Sequence, residues 1–207
     1  MSRRSPRAKV EVAVIYPDPP FNSKRDYNVL FKEGLQDSPA QIKAFEDSWH
    51  WNRDAEKTFK ELIGIEKSKT KVNQGISELI QALEKIVGRN DVLAYLVMIT
   101  VRLIELRRVL KNTGSLYLHC DPTASHYLKI ILDTIFGKKN FQNEIIWHYR
   151  RWTGSANKFL GMHDVIFFYT NNSKNYTFNS SFTDYTEKSL KRKQNYHTRI
   201  KERMMFG

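Results

Sequence analysis

The sequence has little cysteine and no long hydrophobic run. Cys120 is the single cysteine among 207 residues, so no disulfide can form within the chain, which suits a reducing compartment. The most apolar stretch, Val92 to Val101, is followed by Arg102 and Glu105, well before the roughly 20 apolar residues that a transmembrane helix needs. The basic segment 1–9 leads into no apolar region with a small-residue cleavage site. We therefore expect a cytoplasmic protein without a signal peptide.

Acidic residues are in the minority. The chain has 34 Lys and Arg against 22 Asp and Glu, which gives a formal net charge of +12. Such an excess attracts polyanions, and nucleic acid is the leading partner on charge alone. A basic protein that binds no nucleic acid is the alternative that charge leaves open. The hydrophobic fraction of 41% is that of a globular chain with one domain or slightly more.

Apolar, β-branched segments alternate with helical patterns along the chain. Val10 to Tyr16 predicts a strand buried on both faces, and Ser115 to Cys120 predicts a second strand. Helices are predicted over 55–63, 75–87, from a cap at Asn90-Asp91 to about Lys111 with a stop at Gly114, and from Asp121 to Gly137. This order of strand, helices, strand and helix predicts a parallel α/β organisation.

The remaining segments are assigned from weaker patterns. Asn143 to Tyr149 and Asp164 to Thr170 predict two strands that pair as a hairpin with a long connection. Residues 24–53 are interpreted as helix and loop. The polar, basic stretch 182–207 has no predicted core.

A proline-rich loop follows the first strand, at Asp18-Pro19-Pro20-Phe21. Two prolines fix φ and remove two amide donors, so the loop is rigid and lies where ligands bind in α/β sheets. By itself, Asp-Pro-Pro is also a serviceable turn. The Asp carboxylate and a proline carbonyl, however, offer two acceptors to the amino group of a base. A neighbouring ring can stack on that base, which is worth about 1–3 kcal/mol, once the base has been flipped out of a duplex.

The stretch that contains this loop and four further stretches appear in a recognisable order. They read IYPDPPFNSKRDYNVLF, DSWHWNRDAEKTF, LYLHCDPTASHYLKIILDTIFGKKNF, NEIIWHYRR and HDVIFFYT. Over roughly residues 10 to 182 the sequence resembles bacterial site-specific DNA methyltransferases that modify the amino groups of adenine N6 or cytosine N4. The resemblance implies an α/β, Rossmann-like sheet with helices on both faces. It also implies S-adenosyl-L-methionine as the methyl donor and double-stranded DNA as the substrate.

The resemblance assigns roles to the four loop residues. Asp18 and the carbonyl of Pro19 would accept hydrogen bonds from the target amino group, Pro20 would rigidify the loop, and Phe21 would stack on the flipped base. Family members with Asp in the first position mostly act on adenine, so adenine is the expected target. Pro17 departs from the family pattern, in which an aliphatic residue usually continues the strand.

A larger departure concerns glycine. None of the nine glycines lies two positions from another, so the Phe-x-Gly-x-Gly turn on which the family holds its cofactor is absent and no cofactor-binding residue is assigned. The resemblance therefore implies a basic tail at 1–9, a methyltransferase catalytic subdomain at 10–181 lacking the cofactor-binding half, and the start of a target-recognition or linker region at 182–207. The first strand would then have one neighbour, Ser115 to Cys120, and an exposed edge that invites self-association or a complementing chain. An inactive DNA-binding remnant and an RNA amino-methyltransferase are the alternatives.

Other candidate residues carry weaker signals. Arg150, Arg151 and Trp152 form either a phosphate clamp with a stacking ring or a solvated loop. His119, Asp121 and His126 include metal-ligand types, but they fall on a strand, its end and the following helix, so we assign no metal and expect Asp121 to cap that helix. Cys120 is expected to be a small buried residue rather than a nucleophile.

Overall fold

A computed structural model describes residues 11–20, 49–150, 161–180 and 186–192 with their side chains, together with 157, 159 and 195. For 25–29, 32–33, 36–37 and 42–47 it describes the backbone. The chain divides into two compact units, Met1–Thr177 and Phe178–Gly207. The second unit contains helical residues 187–192, and the Thr186 hydroxyl at their start accepts from the Ser189 amide at 3.3 Å.

The first unit contains strands and helices in a mixed order. The strands are β1 (Val12–Ile15), β2 (Arg25–Val29), β3 (Lys32–Glu33), β4 (Gln36–Asp37), β5 (Ile42–Asp47), β6 (Leu110–Cys120), β7 (Phe141–His148) and β8 (His163–Thr170). The helices are α1 (Arg53–Leu62), α2 (Gln74–Val87), α3 (Asp91–Val109) and α4 (Pro122–Phe136). None of the helices within the described ranges has the length and hydrophobicity to cross a membrane.

A four-stranded sheet in the order β1-β6-β8-β7 organises this unit. β1 runs parallel to β6, with Ile15 opposite Leu116. β8 is antiparallel to both β6 and β7, with Phe167 opposite Leu118 and Glu144. The α/β class with a Rossmann-like sheet is confirmed, as are the pairing of the first two predicted strands and the predicted hairpin of β7 and β8. The prediction that the first strand is buried on both faces is wrong, because Val14 of β1 is 60% exposed.

One face of the sheet packs on the helices. Because side chains alternate along a strand, every second residue of β6 and β8 points to this face, and these residues are fully or almost fully buried. They are Leu116, Leu118, Cys120, Val165, Phe167 and Tyr169. They join residues of α1, α2, α3 and α4 in one hydrophobic cluster. This cluster anchors the carboxyl ends of β1 and β6, beside the loop that begins at Asp18, here called the motif loop.

The opposite face of the sheet carries aromatic and polar residues. Tyr117 and Phe168 stack there with ring centroids 4.5 Å apart, and Tyr176 meets Phe168 edge-on. His119 follows Tyr117 by two residues and therefore projects from this face at the carboxyl end of β6. The alternation thus separates a core-facing row from a second row that includes His119, and on β8 the residues of this second row, Ile166, Phe168 and Thr170, are buried as well.

Helix boundaries follow local capping rules, with one exception. The Asn90 side chain accepts from the amides of Val92 and Leu93, and α4 is followed by Gly137 with φ 88°, so both predicted boundaries are confirmed. The predicted stop at Gly114 is wrong, because α3 ends at Val109 and Gly114 lies inside β6. There an added Cβ would lie 2.9 Å from the Lys111 carbonyl oxygen, so glycine permits a close backbone approach rather than a helix stop.

The segment 24–53 also departs from its prediction. Where its backbone is described, it forms short strands instead of helix, and β2 pairs antiparallel with β5. Such pairing joins residues distant in sequence, so a local pattern does not reveal it. α1 begins at Arg53, where the Asn52 side chain accepts from the Ala55 amide at 2.9 Å.

Candidate active site at the carboxyl edge of the sheet

The motif loop continues directly from β1 and is tied to β6. The His119 backbone amide donates to the Pro17 carbonyl at 3.1 Å, which extends the β1–β6 pairing past the end of the strand. Asp18 is exposed, whereas Pro19 and Pro20 are half-buried. Phe21, the predicted stacking residue, lies outside the described residues. The loop therefore presents the Asp18 carboxylate to solvent from a fixed backbone.

A histidine lies between two carboxylates at this edge. His119 Nδ1 is 3.1 Å from Asp18 Oδ1, and His119 Nε2 is 3.5 Å from Asp164 Oδ2. The second distance is within ion-pair range but long for a hydrogen bond. The side chains of His119 and Asp164 are 16% and 18% exposed, against 57% for Asp18. The partly buried side chains of His119 and Asp164 thus lie behind the exposed carboxylate of Asp18.

Two tyrosine hydroxyls complete the polar row. The Tyr16 hydroxyl is 3.4 Å from His119 Nδ1, and Tyr149 donates to Asp164 Oδ1 at 3.3 Å. Desolvation raises the pKa of the Tyr16 phenol, and the negative charge of Asp18 raises it further. Tyr16 is therefore a neutral hydroxyl at physiological pH.

The predicted phosphate-binding loop begins at the same edge. Because β7 is antiparallel to β8, it ends where β8 begins, beside the carboxyl ends of β1 and β6. Arg150 is exposed and lies two residues past the end of β7, next to Tyr149. Arg151 and Trp152 lie outside the described residues. The fold thus brings the start of this loop to the side of the sheet that carries Asp18.

The weaker candidates take structural roles. The Asp121 side chain accepts from the Ala124 amide at 3.1 Å and caps α4, as predicted. The ring of His126 lies 4.0 Å from that of its neighbour Tyr127. Cys120 is buried, and burial, followed by the charges of Asp121 and two other carboxylates, raises the pKa of its thiol. A buried thiol that stays protonated is not a nucleophile.

Sequence reasoning missed the partnership of His119 with Asp164. The sequence indicates His119 only as a metal-ligand type beside Asp121 and His126, whereas its ring faces Asp18 and Asp164. A signal was present in the alternation of β6, where Leu116, Leu118 and Cys120 define the core-facing row and leave His119 on the other face. Asp164 carried no such signal, because its place depends on the pairing of β8 with β6.

The part of the chain that the structure describes offers no cradle for a nucleotide-like cofactor of the glycine-turn type. No two glycines are two residues apart. The described glycines with left-handed φ are Gly64, Gly88 and Gly137, and each follows a helix rather than a strand. The residues present therefore do not fit a Gly-rich turn at a strand end.

Comparison with known proteins gives two matches. The sequence profile of the N6/N4 DNA methylase family matches residues 12–204, a range that includes Asp18, His119 and Asp164. A curated relative, the Mod subunit of the type III restriction-modification enzyme EcoP15I from Escherichia coli, is 24% identical over 164 residues. That alignment covers 79% of this chain and 21% of the relative, so the chain spans about a fifth of the relative's length.

Proposed function

Because the chain belongs to the N6/N4 DNA methylase family, we propose that its motif loop holds the amino group of an adenine base in DNA for methylation. The observation that carries this proposal is the exposed Asp18 carboxylate at the carboxyl end of β1, on a loop tied to β6 through the Pro17 carbonyl. The related Mod subunit belongs to a restriction-modification enzyme, and we place this chain in the same kind of system.

The chain's own residues supply acceptors in this reaction. Asp18 and the Pro19 carbonyl accept the two N–H groups of the target base, and neither competes as a donor. The nitrogen lone pair then stays directed away from them. Phe21 stacks on the base after it leaves the duplex. Family members generally use S-adenosyl-L-methionine as donor, but the residues here do not fit its Gly-rich turn, so we assign this chain the base-holding part only.

In this proposal, a complementing chain or segment supplies the cofactor-binding part. Among the described strands, β1 pairs only with β6, and Val14 and Tyr16 are 60% and 54% exposed. An exposed apolar edge recruits another strand. A strand from the cofactor-binding part would pair with β1 and bring the donor beside Asp18.

Analysis of the methylated nucleosides tests which base the protein methylates. This chain, joined to a cofactor-binding half from the family, is expected to yield N6-methyladenine in DNA incubated with S-adenosyl-L-methionine, because the family associates Asp at the first motif position with adenine. The measurement is nucleoside chromatography after complete digestion, and the cofactor-binding half alone is the control. N4-methylcytosine as the main product would contradict the adenine assignment, and N6-methyladenosine formed only in RNA would contradict the DNA assignment.

The salt dependence of the affinity for duplex DNA tests whether DNA is the partner of the basic surface. Affinity for duplex DNA is expected to fall by about 0.9 log unit per log unit of salt for each phosphate neutralised, with little sequence preference. Arg150→Ala should reduce the slope by about one phosphate. Arg108→Ala is the matched control, because Arg108 is paired with Glu105. It lies just before the first residue of β6, at the end of that strand opposite to the one near Arg150. An affinity that does not change with salt would show that the basic surface is not a DNA footprint.

A further inference from the structure

We propose that His119 is a positioning residue that holds the Asp18 carboxylate toward the target amino group, and that Asp164 fixes the His119 ring for this purpose. The inference rests on the proposed function, because it concerns the acceptor that binds the base. It adds two residues from β6 and β8 to a site that the motif places on the loop after β1.

Asp18 needs an orienting partner. Its side chain is 57% exposed, and a solvated carboxylate turns freely about its side-chain bonds, at a cost in entropy when a ligand immobilises it. His119 Nδ1 contacts Oδ1 at 3.1 Å, which leaves Oδ2 to accept from a base. A carboxylate with one oxygen held in place offers the other in a defined direction, and such fixed geometry is what efficient group transfer requires.

His119 is suited to this task by its place in the sheet. It belongs to β6, whose core-facing row is buried against the helices, so its backbone is rigid. Its amide binds the Pro17 carbonyl, and its ring binds Asp18 in the next residue of the loop. The same residue therefore fixes both the backbone and the functional side chain of the motif.

Asp164 holds the ring from its other side. Asp164 Oδ2 is 3.5 Å from His119 Nε2, and both side chains are less than one-fifth exposed. The Tyr149 hydroxyl donates to Asp164 Oδ1 at 3.3 Å, which orients that carboxylate in turn. The polar row Tyr149–Asp164–His119–Asp18 thus starts at the end of β7, crosses β8 and β6, and ends at the motif. Each neighbour restricts the rotation of the next.

The test measures discrimination for the amino hydrogens with the chain itself. The probe is a single-stranded thymine oligonucleotide containing one adenine, compared with the same strand containing unsubstituted purine, which has no amino group and adds no bulk. Both strands present an unpaired base and identical phosphates, so the ratio of their dissociation constants reports on the acceptors. The wild-type chain should prefer adenine by about three- to tenfold, as expected for one or two hydrogen bonds. Asp18→Ala should reduce the ratio to near 1.

Two amide substitutions separate positioning from a structural role. His119→Asn keeps a donor close to the Nδ1 position that faces Asp18, and should retain most of the adenine preference. His119→Gln places its donor near the Nε2 position that faces Asp164, and should lose the preference, as should His119→Ala. Asp164→Ala should lower it partly. If the alanine variant does not fold, the comparison of His119→Asn with His119→Gln still decides the test. The unfolding midpoint of each variant is measured as well.

The outcomes distinguish this inference from the proposed function. A wild-type chain without adenine preference, or an Asp18→Ala variant that keeps it, would contradict the proposed function. Wild-type preference that depends on Asp18 but is equal in the His119→Asn and His119→Gln variants would overturn the positioning role alone. Preference retained by the Asn variant and lost by the Gln variant supports it.

Discussion

Replacing Asp18 by alanine is expected to abolish methyl transfer while leaving DNA affinity within a few-fold of its original value. In the proposed reaction the carboxylate binds the amino group more strongly in the transition state than in the ground state, so its loss should affect the rate far more than binding. Removing one preorganised hydrogen-bonding group of this kind typically costs about 10²–10³ in rate. The measurement is the single-turnover rate of this chain joined to a cofactor-binding half of the family, with DNA affinity measured in parallel.

Asp54→Ala is the matched control for this experiment. Asp54 is an exposed aspartate in the first turn of α1, and its removal should leave both the rate and the DNA affinity nearly unchanged. If the Asp18 variant kept a near-normal single-turnover rate, the assignment of Asp18 would be wrong. A loss of DNA affinity as large as the loss in rate would instead indicate that Asp18 acts mainly in binding. In the proposed reaction the Phe21 ring stacks on the flipped base, so Phe21→Ala should weaken both base capture and turnover; Phe21 lies outside the described residues.

Truncating Phe167 is expected to cause the largest loss of stability. Phe167 is 2% exposed and lies in β8, the strand that connects β6 to β7. Removing a buried phenylalanine ring leaves a cavity among side chains that relax only partly, and such changes cost about 3–5 kcal/mol in the free energy of unfolding. Urea denaturation of the Phe167→Ala variant measures this loss through the shift of its midpoint.

Phe159→Ala provides the comparison, since Phe159 is fully exposed at 102% relative accessibility. The same chemical change there should alter the unfolding free energy by less than about 0.5 kcal/mol. Equal effects at the two positions would contradict the assignment of β8 to the centre of the sheet. A selective loss at Phe167 would also be expected to disturb the site, because Asp164 lies three residues earlier in the same strand.

Local signals identified much of the fold because they act within a few residues. Asn90 and Asp121 are helix caps whose side chains bind amides two or three positions ahead, so spacing alone reveals them. The runs of apolar, β-branched and aromatic residues that became β1, β6 and β8 mark strands for the same reason. Gly114 is the exception, because it lies inside β6 and not at the end of α3. A glycine after a helical pattern marks either a helix end or a close approach of backbone, and the sequence does not distinguish the two.

The motif residues could be found from the sequence because they are contiguous. Asp18, Pro19 and Pro20 define a rigid loop with two acceptors wherever the chain runs afterwards. The charge of Arg150 and its position after a strand predict a phosphate contact, and the antiparallel pairing of β7 and β8 determines that it lies beside the carboxyl ends of β1 and β6. Its role in binding DNA stays a prediction.

The sequence by itself determined the family, the α/β class, the helix caps and the position of the proline-rich loop after the first strand, because each of these depends on residues close together in the chain. Only the tertiary structure decided that His119 and Asp164 stand behind Asp18. These three residues are widely separated in sequence and meet because β1 pairs with β6 and β6 pairs with β8 in one particular register. A shift of one residue in either pairing would turn the side chains to the other face of the sheet. The register is held by the buried row of Leu116, Leu118 and Phe167, so the hydrophobic core decides the geometry of the polar site.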